Sequence, residues 1–298
     1  MLKIATWNVN SLNVRLPQLL TWLAEQQPDI VALQETKVVD EKFPYAEINA
    51  AGYQVVFSGQ KTYNGVAILS RVQPQAVVAE IPDYPDPQRR VIAATIADLR
   101  VINLYVPNGG MVASDKYEYK LAWLVKLTEF LRQQLTQFPA LVVLGDFNIA
   151  PADEDVYDAE IMHDQVLFSE PEKAAFQQLL ALGLVDSFRL FSQPPKSFTW
   201  WDYRAAAFRR NLGLRIDHIL LSHSLAKRCV ACDIDKNMRK QTQPSDHAPV
   251  IATVEPKKCL ACVARHLIRL YFIQWHFFEL VLPDYNAPHY CLHCSYTM

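Results

Sequence analysis

Glycine is scarce, with eight residues in a chain of 298. That excludes a collagen-like repeat, and the 18 prolines are too many for a long coiled coil. Cysteine is missing from the first 228 residues, so the main body is no disulfide scaffold and suits a reducing compartment. A secretory leader is not expected. Met1-Leu2-Lys3 leads straight into an apolar, strand-like run, without a charged n-region, an apolar h-region and a small-residue cleavage site. A cytoplasmic protein is the expectation. Uninterrupted apolar runs are lacking too. The most apolar stretch, 259–282, is broken by Arg265, His266, Arg269, His276 and Glu279, too polar for a membrane span. Neither sign of charge dominates: 29 Lys and Arg stand against 31 Asp and Glu. This argues against a basic chromatin-type protein, but leaves room for a nucleic-acid enzyme with one basic face.

What is present is apolar surface to bury. At 51% hydrophobic residues the chain is not disordered and can form a large core. Short β-rich runs dominate, at 2–8, 30–35, 53–58, 65–70, 76–81, 90–96, 100–106, 140–145, 215–221, 229–234 and 248–254. Helical periodicity appears at 16–25, where Leu16, Leu19, Leu20 and Leu23 share a stripe, and again at 117–135 and 172–182. Pro28 and Pro139 follow two of these helices as stop signals. Many strands are joined too tightly for helical crossovers. The pattern predicts an α+β fold, a four-layer αββα sandwich of two packed mixed sheets with helices outside.

Charge is uneven along the chain. Residues 146–186 carry ten acids against Lys173 alone, whereas 196–240 carry ten basic residues against four acids. Trp200, Trp201, Tyr203 and Phe208 interleave with the arginines of the basic run. That suits phosphate contact with base or sugar stacking; a solvated surface is the alternative.

Several apolar runs end in a residue fit for metal or phosphate chemistry. They deliver Asn8 with Asn10, Glu35, Tyr105 with Asn108, Asp146 with Asn148, Asp217, and Asp246 with His247. A single polar residue at a strand end is usually a turn residue. A whole set of them at strand ends is what rigid elements need to converge side chains on one site. Asp, Glu and Asn supply hard oxygen ligands, suited to Mg²⁺ or Mn²⁺ rather than structural zinc.

These residues lie in recognisable strings: Thr6-Trp7-Asn8-Val9-Asn10-Ser11-Leu12, Leu33-Gln34-Glu35-Thr36-Lys37, Asn64-Gly65-Val66-Ala67-Ile68, Tyr105-Val106-Pro107-Asn108-Gly109, Gly145-Asp146-Phe147-Asn148, Gly213-Leu214-Arg215-Ile216-Asp217 and Ser245-Asp246-His247-Ala248-Pro249. In order and spacing the chain resembles the exonuclease III family of class II apurinic/apyrimidinic (AP) endonucleases, within the DNase-I-like endonuclease/exonuclease/phosphatase superfamily. The resemblance covers about residues 1–254. It implies a Mg²⁺-dependent (or Mn²⁺-dependent) DNA-repair nuclease. Such an enzyme cuts duplex DNA 5′ to abasic sites and removes 3′ nucleotides or blocking groups at recessed or blocked 3′ ends, and the expectation is a monomer with no membrane partner.

The resemblance also implies roles. Glu35 would hold the cation, with Asn8 and Asn10 close by and Asp246 as a second metal or water ligand. Asp146 would position and deprotonate the attacking water, and Asn148 would orient it or the phosphate. His247 would donate to a phosphate oxygen, held by Asp217. Tyr105 and Asn108 would sit beside the phosphate. The implied metal set is Asn8, Glu35, Asp146, Asn148, Asp246 and His247. Whether Asp146 or Tyr105 generates the nucleophile, and whether one or two metals act, stays open in the sequence. For DNA, Trp200, Leu214 and Ile216 resemble walls of a pocket for the bare sugar, with core filling as the alternative. Asn211 and Arg215 would lie near the backbone, and Met111 would enter the duplex as a wedge.

The pattern departs after residue 254. Residues 1–255 read as the catalytic domain and 256–298 as an atypical Cys- and aromatic-rich extension. Cys259-Leu-Ala-Cys262 and Cys291-Leu-His-Cys294 have zinc-ribbon spacing but lack knuckle glycines, so an amphipathic or partly disordered appendage is favoured. Cys229 and Cys232 alternate along a strand and read as burial rather than redox chemistry. Two rival functions remain: the same fold acting on a phosphoinositide or sphingomyelin phosphoester, and a non-catalytic DNA-binding relative.

Overall fold

The computed structural model describes residues 1–257. The two Cys-x-x-Cys pairs of the extension, with the zinc and appendage readings, lie outside the described residues.

Twelve strands form two six-stranded mixed sheets. The first runs β11 (Cys229–Ile234), β12 (Val250–Val254), β1 (Leu2–Asn8), β2 (Ile30–Gln34), β4 (Val66–Ser70), β3 (Gln54–Ser58). The second runs β5 (Gln75–Val78), β6 (Val91–Ile96), β7 (Leu99–Tyr105), β8 (Leu141–Asp146), β10 (Asp217–Ser222), β9 (Leu184–Asp186). Helices α1 (Leu12–Gln26) and α2 (Tyr45–Ala50) precede β3 in the chain, and α3 (Asp115–Gln137), α4 (Ala159–Met162), α5 (Glu170–Ala181), α6 (Ala207–Arg210) and α7 (His223–Ala226) follow β7. The αββα sandwich is therefore present.

Alternation along the central strands sorts their side chains between two faces. Ile4, Ile30, Ala32, Val101, Val142, Leu144, Ile219 and Leu221 fill the layer between the sheets. Ala5, Trp7, Val31 and Leu33 face the other way, onto Leu12, Leu19, Trp22 and Leu23 of α1. Ile102, Leu104, Leu141 and Val143 likewise pack on Trp123, Leu127, Leu131 of α3 and Phe176, Leu179 of α5. The α1 stripe thus centres on Leu12, Leu19, Trp22 and Leu23, and Leu16 and Leu20 are half-buried at its margin. β9 escaped the sequence reading because its three residues are too short to alternate; it is held by its pairing with β10. Cys232 is buried beside Ser187 at 3.2 Å, and burial pushes its thiol up, which fits the inert reading.

Between the sheets the apolar layer carries one polar pin. Gln34 donates to Thr6 Oγ1 at 2.9 Å and to Asn103 Oδ1 at 2.7 Å, while Asn103 donates to the main chain of Leu33 and Ala67 at 2.9 and 2.8 Å. These bonds tie β1, β2 and β4 of one sheet to β7 of the other, one step below the residues that end the strands.

Candidate active site

The site follows from register. β1 and β2 run parallel with Asn8 opposite Gln34, so Asn8 and the following Glu35 leave their sheet at the same end. In the second sheet Tyr105 pairs with Asp146, and Asp146 with Asp217, making one row across three strands. Asn8, Tyr105 and Asp146 end the inward-facing alternation of their strands and Asp217 begins that of β10, so these four point into the gap between the sheets, whereas Glu35 turns off the end of β2 at φ +50. Gly145 allows the close pairing: a Cβ there, at φ +145, would lie 1.9 Å from the Leu104 carbonyl oxygen. The loop before β12 completes the set. Ser245 Oγ donates to Asn8 O at 2.7 Å and accepts from His247 N at 3.2 Å, which clips the Ser-Asp-His turn to the end of β1.

Glu35, Asp146 and His247 each offer an atom within 4.8 Å of the others, and among the described residues they are the cluster with the geometry to hold a metal ion. Asn8, fully buried, donates from one amide nitrogen to Glu35 Oε1 and Asp146 Oδ2, both at 2.9 Å, while its oxygen accepts from Asn10 N at 3.0 Å. It therefore orients both carboxylates. Tyr105 donates to Glu35 Oε1 at 2.9 Å. His247 Nδ1 meets Asp217 Oδ2 at 2.8 Å, and its Nε2 lies 3.8 Å from Asp146 Oδ2. Asn148 accepts from the Asn108 amide at 3.1 Å and donates to Val106 O at 2.9 Å. Asp246 accepts from Trp200 Nε1 and from Asn10, both at 2.9 Å.

Burial drives the electrostatics. It raises the Asp146 carboxyl; His247 opposes, Asp217 reinforces, and the group ends up at about 7. Burial disfavours a charged His247, but Asp217 and Asp146 outweigh it and push the ring up to about 10. A charged imidazolium is a proton donor with no lone pair for a cation, so in that state His247 faces the cleft as a donor. Burial, then the charges of Glu35 and Asp146, push the Tyr105 phenol well above its usual value, so it keeps its proton. Burial also opposes the Glu35 charge, yet Lys37 and the Asn8 bond hold that carboxyl below its usual range. The remaining donors, two carboxylates with amide oxygens at hand, are hard and fit Mg²⁺ or Mn²⁺.

The proposed DNA contacts divide. Met111 is 71% exposed on the loop after β7, and Asn108 is exposed beside it. Half-buried Trp200 packs with buried Leu214 and Ile216, so the three do come together. Arg215 is a correction: it is 2% exposed, paired with Asp155 and Asp186 and touching His218 Nδ1 at 3.0 Å. It cannot reach a DNA backbone. Asn211 is half-buried, accepting from Trp201 Nε1 and donating to Lys196 O, both at 3.1 Å. In the basic run, Trp201 is fully buried and half-buried Phe208 packs with it, leaving Tyr203, Arg204, Arg209 and Arg210 at the surface.

Three residues absent from the sequence reading belong to the site. Lys37 pairs with Glu35 Oε2 at 2.7 Å and donates to Asn10 Oδ1 at 2.5 Å; its place two residues after Glu35 was the available signal. Arg90 stacks 4.7 Å from the Tyr105 ring centre and donates to Tyr105 O at 3.1 Å. With the 67% exposed Tyr63, Arg90 also lines a cavity of about 470 Å³ beside Asn108. Arg90 carried no signal because it lies outside every motif, whereas Tyr63 directly precedes the Asn64-Gly65 string.

The comparisons with known proteins agree with this geometry. The sequence profile of the endonuclease/exonuclease/phosphatase family matches residues 5–247. A Haemophilus influenzae protein named exodeoxyribonuclease III is 38% identical over 264 residues, spanning 84% of this chain and 99% of that one. The structure of a Neisseria 3′ phosphatase, NExo, bound to a product DNA hairpin, is similar with a TM-score of 0.85 at 52% identity, covering 86% of this chain and 100% of that chain. An AP endonuclease from Archaeoglobus fulgidus gives a TM-score of 0.83 at 43% identity, with the same 86% and 100% coverage. A profile that takes in the cleft from Asn8 to His247, with relatives this similar along their full length, makes the chain a member of the endonuclease/exonuclease/phosphatase family.

Proposed function

We propose that this chain is a DNA-repair nuclease that uses Mg²⁺ or Mn²⁺ to hydrolyse phosphodiesters of duplex DNA, at recessed or blocked 3′ ends and 5′ to abasic sites. The observation that carries the reading is a buried carboxylate poised near neutrality, Asp146, set between a charged histidine and a carboxylate open to the cleft. The Neisseria relative, named a 3′ phosphatase and a 3′-5′ exonuclease, supports the 3′-end activity, and the Archaeoglobus relative the cut at abasic sites. These names favour DNA over a lipid phosphoester.

Glu35 and Asp146, oriented by Asn8, are the residues that would hold the cation, with Asp246 beside Asn10 as a further oxygen. When bound, a divalent ion neutralises phosphate charge and so lowers the barrier to attack by an anionic or neutral oxygen nucleophile. Asp146 takes a proton from the attacking water, a task suited to a base near 7. Tyr105, held protonated by its surroundings, is a poor base and faces the leaving oxygen as a donor. His247 and Asn148 donate to the phosphate oxygens as charge builds on them. The new P–O bond forms as the bond to the 3′ oxygen breaks, and that oxygen leaves with a proton. Trp200, Leu214 and Ile216 are proposed as the wall against which a bare sugar rests, and Met111 as the wedge. Residues 1–255 form the catalytic domain of a cytoplasmic monomer, with 256–298 as an extension.

The test is the purified full-length protein on recessed-3′, 3′-phosphate and abasic duplexes with Mg²⁺. Cleavage should stop with EDTA and fall about 10²- to 10⁴-fold in Asp146→Asn, with duplex binding retained. No hydrolysis of any duplex, or hydrolysis undiminished in EDTA, rejects the reading.

A further inference from the structure

Beneath the cleft lies a lysine with no route to water. Lys120 projects from α3 with its side chain fully buried. Its Nζ donates to the main-chain oxygen of Asn148 at 2.6 Å and to that of Asn108 at 3.2 Å, and pairs with the Glu172 carboxylate of α5. Glu172 is itself saturated. Its Oε1 accepts from Leu167 N at 3.1 Å, and its Oε2 from Ser169 N at 3.1 Å and Ser169 Oγ at 2.6 Å. An ammonium has three donors, and here each is directed: one to the loop after β7, one to the loop after β8, and one to α5.

For stability alone an aliphatic pair would serve as well, since a buried ion pair gains little over well-packed apolar groups. What a lysine does here that a leucine cannot is hold two carbonyls from separate loops at one point. Asn148 needs such a hold. It sits at φ +50, a left-handed conformation uncommon for a residue with a side chain, and its amide is the partner of Asn108 across the cleft floor.

We propose that Lys120, seated on Glu172, is a positioning residue for the reaction, clamping the backbones of Asn108 and Asn148 so that their side chains meet the phosphate in one geometry. The inference rests on the nuclease reading of the cleft. Lys120→Met alone would leave the Glu172 charge buried without its partner, so the test pairs Lys120→Met with Glu172→Gln. It compares this variant with Asn148→Ala and with all three changes combined. The paired variant is expected to keep a cooperative thermal transition. Its kcat on a recessed-3′ duplex should fall about 10- to 100-fold while KM moves less than about threefold. In the Asn148→Ala background the paired change should cost clearly less than it does in the wild type, because the part of its effect that runs through Asn148 is already lost.

Wild-type kcat in the folded paired variant overturns the clamp, as does a loss that multiplies in full with Asn148→Ala. Should the paired variant lose its transition, Glu172→Gln alone is read instead. It loosens the ammonium's seat without emptying the space, and the same kcat-against-KM split and the same non-additivity decide. A wild-type protein inactive on every duplex overturns the nuclease reading itself, so the two failures are distinct.

Discussion

Asp217 never faces the solvent, yet it sets the chemistry of the cleft. Its Oδ2 lies 2.8 Å from His247 Nδ1, and its charge is the leading influence that raises that ring against the effect of burial. The pH dependence follows with a definite sign. Activity should rise as Asp146 loses its proton near or below pH 7, lower when a cation sits beside it, and fall as His247 loses its own near pH 10. Asp217→Asn removes the charge that favours the imidazolium, so the alkaline limb should move to lower pH by about one to three pH units. A profile of kcat/KM against pH checks this; an alkaline limb that stays in place would show that His247 does not set it.

The elements around the cleft are joined by buried charge. Arg215, which precedes β10, pairs through Nε with Asp155 in the turn after β8 and through Nη1 with Asp186 of β9 at 2.8 Å. Asp155 also binds Arg189, while His218 Nε2 donates to Ile149 O at 2.8 Å on the same side. The network fastens the acidic 146–186 stretch to the strand that carries Asp217. Arg215→Met strands Asp155 and Asp186, and should lower stability by about 3–5 kcal/mol, read from thermal or urea unfolding. Its effect on DNA should differ from that of a phosphate contact. Loss of such a contact reduces the slope of log affinity against log salt by about one, whereas Arg215→Met should leave that slope unchanged.

At the scale of the whole molecule, two sheets meet at one open end, and the cleft residues among those described come from residues 1–255. That unit carries its own apolar layers, three faces deep, and the polar pin of Gln34 and Asn103 between its sheets. A protein ending at Glu255 should therefore fold alone and cleave DNA within about twofold of the full chain. A loss of more than about tenfold in kcat/KM would place the 256–298 extension in the reaction.

The sequence by itself determined the layers and most of the cleft. Alternation and strand ends are local properties, so 30–35, 140–145 and 248–254 could be read as strands, and Glu35, Asp146 and His247 as the chemically able residues at their ends. Only the tertiary structure decided what each side chain faces. Arg215 looks like a DNA contact in a basic run, but burial beside two acids 29 and 60 residues away makes it a brace. Lys120 looks like one more helix lysine until α5 brings Glu172 against it. His247 was legible with its hold by Asp217 through the resemblance, and Asn8 as a member of the site, but not the two carboxylates that Asn8 touches. Which atom of an amide points at a carboxylate, and whether an imidazole keeps its proton, depends on charges delivered by strands remote in the chain and on the water their packing excludes.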